Sequence, residues 1–296
     1  MTSRTWPELG VTESGSGILW VVATPIGNLG DMSPRAVDTL RRATRIAAED
    51  TRRTRALCTH FGISGVPLDA LHAHSSGADV ARVLEHLAAG ADVALVTDAG
   101  TPLVSDPGDA LVKACVDAGV RVVAIPGPSA VLCALAVSGL AGGGGFRFVG
   151  FIAREGSARH RAVGMIAQTP EPVVLFESPE RTARTLRDLA DAMPERPACV
   201  ARELTKVYEE TLRGTLAELA AREGDYRGEI VIVLGAWSPE EHADAIDDEA
   251  IDARIDHELE TGAHAKTAAE RVAAWSGRPK REIYERVVRR KSARKG

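Results

Sequence analysis

Short β-branched runs alternate with helical stretches along the first half of the chain, and this alternation constrains the fold more than any other feature. The runs at 18–24 (ILWVVAT) and 93–97 (VALVT) are typical of buried strands. Between them, Ser33 followed by Pro34 is a helix-start signal, because serine caps a helix and proline fits its first turn. Strand–helix alternation predicts an α/β fold, with a mostly parallel sheet covered by helices.

Four consecutive glycines at 142–145 interrupt this pattern and predict a flexible joint between two lobes. In the first lobe we expect strands at 18–24, 45–48, 93–97 and 120–125, and helices at 34–43, 80–89, 109–118 and about 129–138. In the second lobe we expect strands at 146–151, 173–177, 198–202, 207–213 and 229–234, and helices at 159–168 and 179–192. The last two strands alternate in a way that favours antiparallel pairing, so the second lobe should contain a mixed sheet.

Charge becomes strongly segregated after Trp237. From Glu240 to Glu260 nearly every charge is acidic, and from Arg278 to Lys295 nearly every charge is basic. Two short helices at 266–275 and 280–291, joined by a tight turn, resemble a helix-turn-helix. The pattern is consistent with a solvated acidic linker and a solubilising tail, or with a basic end that docks on phosphate.

These signals divide the chain into four parts. They are a flexible extension at 1–17, an N-terminal α/β lobe at 18–141, a C-terminal mixed α/β lobe at 146–236 and a helix-turn-helix-like appendage at 245–291.

Composition excludes several classes of protein. The chain is 45% apolar and 26% charged, which is typical of a globular protein. Its four cysteines form no CxxC pair, which argues against a zinc site or a disulfide framework and favours a reducing, cytoplasmic compartment. No run of 18 apolar residues is present, and residues 1–17 do not read as a signal peptide. His72 and His74 are expected on one face of a short strand without a third ligand, so we expect no metal site.

Three loops rich in glycine and proline follow predicted strands, at 24–30 (TPIGNLG), 97–108 (TDAGTPLVSDPG) and 125–130 (IPGPSA). Neither the P-loop pattern nor GxGxxG is present. In an open α/β sheet, ligands bind at the carboxyl ends of strands, where glycine lets the backbone approach a ligand and proline stiffens the loop. If the three loops converge, they form a cleft suited to a small, polar, zwitterionic cofactor.

At these loops the sequence resembles the tetrapyrrole methylase superfamily. Within it, the chain is similar to the branch that 2′-O-methylates a cytidine of 16S ribosomal RNA. The motifs that carry the resemblance are TPIGNLGD, AAEDTRRTRALCTHFGI, VALVTDAGTPLVSDPG, PGPSA, LFESPERT and ARELTKVYEETLRGTL, between Ile18 and Ala236. AEDTR and DAGTPLVSDPG separate this branch from the corrin-making methylases.

The resemblance implies a two-lobed tetrapyrrole-methylase-like fold, a homodimer, and S-adenosyl-L-methionine bound in the cleft between the lobes. It also implies small-subunit ribosomal RNA, or the assembled small ribosomal subunit, as substrate. The cofactor-binding residues that it implies are Pro25, Asp98, Gly100, Thr101, Pro102, Val104, Ser105, Ser129, Ala130, Phe176 and Leu204.

Methyl transfer to a ribose hydroxyl needs an acceptor for the hydroxyl proton. The catalytic candidates are polar residues at strand ends, namely Glu49, Glu177, Arg202 and Glu203, with Glu177 or Glu203 as proton acceptor. The alternative is that Glu49 with Arg52, and Arg202 with Glu203, form structural ion pairs. The residues expected to bind RNA are Arg52, Arg53, Arg55, Arg181 and Lys206, with a further basic cluster at Arg154, Arg159 and Arg161.

Two other functions remain open. One is methylation of a tetrapyrrole precursor, with the same fold and cofactor, and the other is a non-catalytic RNA-binding module. The basic clusters and AEDTR favour RNA as the methyl acceptor.

Overall fold

The computed structural model describes residues 15–238 and 246–293. Three segments therefore lie outside the described residues. They are most of the expected N-terminal extension (1–14), part of the acidic stretch (239–245) and the last residues of the basic end (294–296). The chain divides into two compact units between Ala130 and Val131. The glycine run at 142–145 lies further along the chain, in the turn that precedes the first strand of the second unit. The four-part division drawn from the sequence stays a prediction.

The first unit contains a five-stranded, fully parallel sheet. Its strands are β1 (Leu19–Val22), β2 (Arg45–Ala48), β3 (Leu68–Ala70), β4 (Val93–Val96) and β5 (Val122–Ile125), in the order β3-β2-β4-β1-β5. This confirms the α/β fold expected for the first half of the chain. The short edge strand β3 was not expected, because its sequence LDA has no apolar run.

Helices cover this sheet and bury most residues of its central strands β1, β2 and β4. They are α1 (Pro34–Arg42), α2 (Thr51–His60), α3 (Gly77–Ala88) and α4 (Asp109–Asp117), and α5 (Ala130–Ser138) begins where the second unit starts. Ser33 caps α1 as expected, since its Oγ accepts from Ala36 N at 3.1 Å. Helix α2 was missed, although Asp50 caps it by accepting from Arg52 N at 2.8 Å.

The second unit contains a mixed sheet, as expected. Its strands are β6 (Arg147–Phe151), β7 (Val173–Glu177), β8 (Pro197–Arg202), β9 (Glu210–Thr215) and β10 (Ile230–Leu234), in the order β6-β7-β10-β8-β9. Strands β6 and β7 are parallel, and the other pairings are antiparallel. Strand β9 begins at Glu210 and not at Val207, because Glu203 and Thr205 have left-handed backbones (φ +50° and +67°) that turn the chain first.

The remaining helices of this unit include three that form the C-terminal part. Helices α6 (Gly156–Ala167), α7 (Pro179–Ala192) and α8 (Leu216–Ala220) are followed by α9 (Asp248–Glu260), α10 (Ala265–Ser276) and α11 (Lys280–Ala293). The helix–turn–helix expected from the sequence corresponds to α10 and α11, which are joined by a turn at Gly277 with φ +67°. Among the described helices, none is both long and apolar enough to cross a bilayer.

The acidic stretch is not a solvated linker over 248–260, where it forms helix α9. Ile251 and Ile255 are completely buried in a cluster with residues of α10 and α11. Each of these isoleucines stabilises the packing by about 1.5–3 kcal/mol relative to leaving it exposed.

Ion pairs join the acidic helix α9 to the basic helix α11. Arg286 lies 2.8 Å from Asp248 and 2.5 Å from Asp252, and Arg290 lies 2.9 Å from Asp252 and also pairs with Asp256. Two arginines of the basic end are therefore engaged within the appendage itself. The opposite charges of the two segments therefore add to the apolar packing between α9 and α11.

We expect replacement of Asp252 with Asn to lower the melting temperature at pH 7, because Arg286 and Arg290 lose a shared carboxylate. The Arg286 guanidinium holds the pKa of Asp252 below its usual range. This stabilisation is present above the unfolded pKa of about 3.9 and is lost as pH falls through the lower folded pKa. The difference from wild type, measured by circular dichroism, should shrink as pH falls below about 4.

Glu249→Gln on the same helix is the matched control, because Glu249 is exposed and removal of its charge should change the melting temperature little. Equal melting temperatures for Asp252→Asn and wild type at pH 7 would show that the pairs do not stabilise the appendage.

Candidate active site

Two hydrogen bonds join the loops that follow β1 and β4. Thr24 N donates to Gly100 O at 2.9 Å, and Gly100 N donates to Thr24 O at 3.0 Å. Thr24 Oγ1 also donates to Thr97 O at 3.2 Å. Because β1 and β4 are parallel neighbours, their carboxyl ends lie at the same edge of the sheet. The bridge fixes the first two predicted loops against each other at that edge.

The third predicted loop joins the same edge. Thr101 Oγ1 donates to Pro128 O at 3.0 Å. A Cβ on Gly127 would lie 2.9 Å from Ala23 Cβ, so only glycine fits this close approach without a shift. Strands β4 and β1 are neighbours in the sheet. The connection after β1 leads to β2 on one side of this pair, and the connection after β4 leads to β5 on the other side. The three loops therefore meet at a switch point of strand order, where ligands bind in α/β sheets.

The backbone of the loop at 97–108 is strained. Leu103 and Ser105 have left-handed φ angles of +76° and +68° although neither is glycine. Such conformations cost about 1–3 kcal/mol each and are concentrated at ligand sites. Val104 and Ser105, two of the residues expected to bind the cofactor, lie in this strained segment.

Carboxylates are also gathered at this edge. Glu49 Oε2 accepts from Asp98 N at 3.2 Å, and Asp98 Oδ1 accepts from Asp50 N at 3.1 Å. Burial, and then the negative charges of Glu49 and Asp98, raise the pKa of Asp106 to about 6. Asp106 was not among the site residues expected from the sequence, although it lies within the second glycine-rich loop.

A cavity of about 430 Å³ opens beside the Thr24–Gly100 bridge. It is lined by residues that include Thr24, Pro25, Leu29, Arg53, Thr97 and Asp98. This volume lies in the range of small-molecule sites, about 300–1,000 Å³. Pro25 and Asp98 thus share one cavity. The other first-unit residues expected to bind the cofactor, Gly100, Thr101, Pro102, Val104, Ser105, Ser129 and Ala130, lie in or next to the adjoining loops and do not line it.

The three arginines of α2 expected to bind RNA are all exposed. Arg52 pairs with Asp50 at 2.8 Å, and not with Glu49, and Arg53 pairs with Asp98 at 3.3 Å. Arg55 forms no ion pair within the described part of the chain. Helix α2 therefore presents a basic face next to the carboxylates of the loop edge.

In the second unit, Glu177 is the centre of a buried polar network. Its side chain has no exposed surface and lies 2.9 Å from Arg181 Nε. It also accepts from Ser178 N at 2.9 Å and from Thr185 Oγ1 at 2.6 Å. Arg181 donates to Ile152 O at 2.6 Å, so the network braces α7 against the ends of β6 and β7.

Glu203 is more accessible, with 20% of its side chain exposed. Glu203 Oε1 accepts from Lys206 Nζ at 2.8 Å and from Glu229 N at 2.9 Å. The hydrogen bond from Lys206 lowers the pKa of Glu203. Arg202 pairs with Glu210 at 2.6 Å and not with Glu203, and Leu204 is buried.

Phe176 belongs to an aromatic cluster that sequence reasoning did not identify as a whole. Its ring centroid lies 4.9 Å from that of Phe148 and 5.6 Å from that of Phe151. Phe151 is 58% exposed, so the cluster presents an aromatic face to solvent. Such a face can stack on a planar ring.

His72 and His74 lie in the turn after β3 and not on a strand, contrary to expectation. His72 Nδ1 accepts from His74 N at 3.2 Å. No group of three or more potential ligands able to hold a metal occurs among the described residues.

Comparison with known proteins identifies the family to which this chain belongs. The model of the tetrapyrrole (corrin/porphyrin) methylases matches residues 19–220. The chain belongs to the tetrapyrrole methylase family. A ribosomal RNA small subunit methyltransferase I from Xylella fastidiosa is 44% identical over 276 residues, which cover 92% of this chain and 99% of that relative.

Solved structures of the family share the fold. The methyltransferase CobJ has a TM-score of 0.56 at 21% identity, over 76% of this chain and 98% of that one. Uroporphyrin-III C-methyl transferase from Thermus thermophilus, complexed with S-adenyl homocysteine, has a TM-score of 0.51 at 20% identity, over 74% of this chain and 97% of that one. The chain is thus a methylase-family protein with the α/β architecture of these enzymes.

We expect Gly100→Ala to lower the free energy of unfolding by about 1–2 kcal/mol, because its φ of +84° is left-handed and disfavours a Cβ. Gly164→Ala is the matched control, since Gly164 lies inside α6 with no atom near its Cβ position. That change should raise stability by about 0.5–1 kcal/mol. Urea unfolding measures both, and equal effects would contradict the role given to Gly100.

Proposed function

We propose that the chain transfers the methyl group of S-adenosyl-L-methionine to the 2′-hydroxyl of a cytidine in 16S ribosomal RNA. The observation that carries this proposal is the near end-to-end likeness to proteins named ribosomal RNA small subunit methyltransferase I. The motifs of the glycine-rich loops favour the same reaction. A homodimer, supported by the sequence resemblance, and a cytoplasmic location, supported by the four unpaired cysteines, are part of the proposal.

The loop edge of the first unit fits such a methyl donor. S-adenosyl-L-methionine supplies an electrophilic methyl group on a positively charged sulfonium, together with ribose hydroxyls and a zwitterionic amino acid. The carboxylates of Glu49, Asp98 and Asp106 suit a positive centre and can accept from hydroxyl groups. The 430 Å³ cavity is large enough for a ligand of this class.

We assign donor binding to the residues expected from the sequence. In the first unit these are Pro25, Asp98, Gly100, Thr101, Pro102, Val104, Ser105, Ser129 and Ala130. In the second unit, Phe176 and Leu204 flank the adenine, and the aromatic face made with Phe148 and Phe151 supports this role for Phe176. These residues align the donor, which is the main task of a protein whose cofactor brings its own electrophile.

Of the two candidate proton acceptors, contacts and exposure favour Glu203. Glu177 is fully buried and its oxygens hold Ser178, Arg181 and Thr185. Glu203 is partly exposed and is kept ionised by Lys206. We therefore propose that the Glu203 carboxylate accepts the hydroxyl proton, or a hydrogen bond from it, while Glu177, Glu49 and Arg202 position neighbouring groups.

RNA contacts are assigned to the exposed arginines of α2, Arg52, Arg53 and Arg55, and to Arg181 and Lys206. About four-fifths of the Arg181 side chain is buried, and Lys206 forms ion pairs with both Glu203 and Glu229. These two residues are therefore better placed to shape the site than to bind a phosphate by themselves. The α2 arginines suit the phosphate backbone, where each contact makes binding more sensitive to salt.

Mapping 2′-O-methylation of 16S ribosomal RNA in cells tests the proposal. Cells without the protein should lack one cytidine 2′-O-methyl group, and the wild-type gene should restore it. Glu203→Gln should lower kcat about 10²–10⁴-fold, because it removes a proton acceptor, with little effect on donor affinity by calorimetry. Glu223→Gln, on an exposed loop, is the matched control and should behave as wild type.

An unchanged methylation map in cells without the protein would contradict the RNA assignment. Labelled methyl transfer to a precursor corrin, and not to small ribosomal subunits, would favour the tetrapyrrole alternative. RNA binding without calorimetric binding of the donor would favour a non-catalytic module.

A further inference from the structure

A groove of about 670 Å³ in the second unit lies between α6 and α7 on one side and α10 and α11 on the other. Its lining contains five lysine and arginine side chains and three carboxylates, so it carries a positive excess. The five are Arg159, Arg161, Lys266, Arg271 and Lys280. The chain as a whole has a net charge of −5, so this local excess is a departure from its average.

Some of these cations are paired within the chain, and others are free to bind an external anion. Arg159 is buried and pairs with Asp188 at 2.6 Å, and Arg271 pairs with Glu258 at 2.9 Å. Arg161 and Lys266 are exposed and form no ion pair with the carboxylates of the described residues. Two cations of the groove are therefore free to meet an anion from outside the chain.

Glu270 is the groove carboxylate that pairs with Lys280. Its carboxylate lies 2.6 Å from Lys280 Nζ. The pKa of Glu270 is lowered by the hydrogen bond from Lys280 and also by the charges of Lys266 and His160. An incoming anion would compete with Glu270 for Lys280, and the negative charge of Glu270 would also oppose an anion that approaches Lys266.

The N-termini of two helices add to the positive electrostatic potential of the groove. Helices α6 and α10 begin at Gly156 and Ala265, beside groove residues Ser157 and Lys266, and neither N-terminus has a side-chain cap. The first backbone N–H groups of a helix lack partners within it and favour negative charge. They supplement the cations and do not by themselves define the site.

We propose that this groove holds phosphate groups of the RNA backbone, with Arg161, Lys266 and Lys280 as contacting residues. The inference rests on the proposed function, since it takes ribosomal RNA as the substrate. Charge complementarity selects the occupant, because the exposed, unpaired cations Arg161 and Lys266 match a polyanion better than they match an apolar protein surface. The groove gives the chain a second RNA contact besides the arginines of α2.

Binding of a fluorescent 16S ribosomal RNA fragment at several salt concentrations tests the groove. Arg161→Ala and Lys266→Ala should each weaken binding about three- to tenfold at 0.1 M salt and reduce the slope of log K against log salt by about 1. Glu270→Gln should have the opposite effect and tighten binding, because Lys266 and Lys280 lose a competing carboxylate. A gain of affinity cannot come from a folding defect.

Lys113→Ala on α4 is the matched control, since it removes a charge that is 71% exposed and pairs with Asp117 on the same helix. It should leave both affinity and slope unchanged. RNA binding that is unaltered in all three groove variants would overturn the inference. Weaker binding to assembled small subunits without weaker binding to free RNA would also overturn it, and would indicate a ribosomal protein as the partner.

The experiments distinguish a wrong assignment of the groove from a wrong proposed function. If the groove variants change RNA affinity while the methylation map is the same with and without the protein, the groove stands and the methyltransferase assignment falls. If methylation depends on the protein while the groove variants bind RNA as wild type does, the groove inference alone falls.

Discussion

The hydrogen-bonded bridge between Thr24 and Gly100 is the contact on which the proposed donor site depends. It joins the loops after β1 and β4, and the Thr101–Pro128 hydrogen bond adds the loop after β5. Each loop alone would be an ordinary turn. Held together at the switch point of a parallel sheet, they gather backbone groups, hydroxyls and carboxylates around one edge, which is what a polar cofactor requires.

Charge is used differently in the two halves of the second unit. Around Glu177, buried polar groups pair with one another and fix the start of α7. Exposure to water would weaken these interactions, so burial suits this structural role. In the C-terminal helices, acidic residues of α9 neutralise Arg286 and Arg290 of α11. Lys266 of α10 and Arg161 of α6 remain exposed. A basic sequence segment is therefore a poor guide to where a phosphate binds until its internal partners are known.

The sequence predicted the parallel sheet, the mixed sheet and the three loops, because these depend on local patterns: apolar runs, strand alternation and glycine or proline at fixed places. Strand β3 was missed because three residues with one aspartate carry no such pattern. Helix α9 was missed because its acidic surface hid the buried positions Ile251 and Ile255. Arg202 pairs with Glu210 across β8 and β9, so its partner depends on a strand register that the sequence does not give. Arg52 and Glu177 pair with Asp50 and Arg181, two and four residues away, and these partners were missed because several nearby charges were within reach of each side chain.

A crystal structure with S-adenosyl-L-homocysteine would show directly whether the glycine-rich loops of the first unit hold the methyl donor. The ligand is expected to contact the loops at 24–30 and 97–108, with the Thr24–Gly100 bridge intact and Asp98 within hydrogen-bonding distance of it. A ligand bound away from these loops, or no binding at concentrations that saturate related methyltransferases, would contradict the assignment of the donor site.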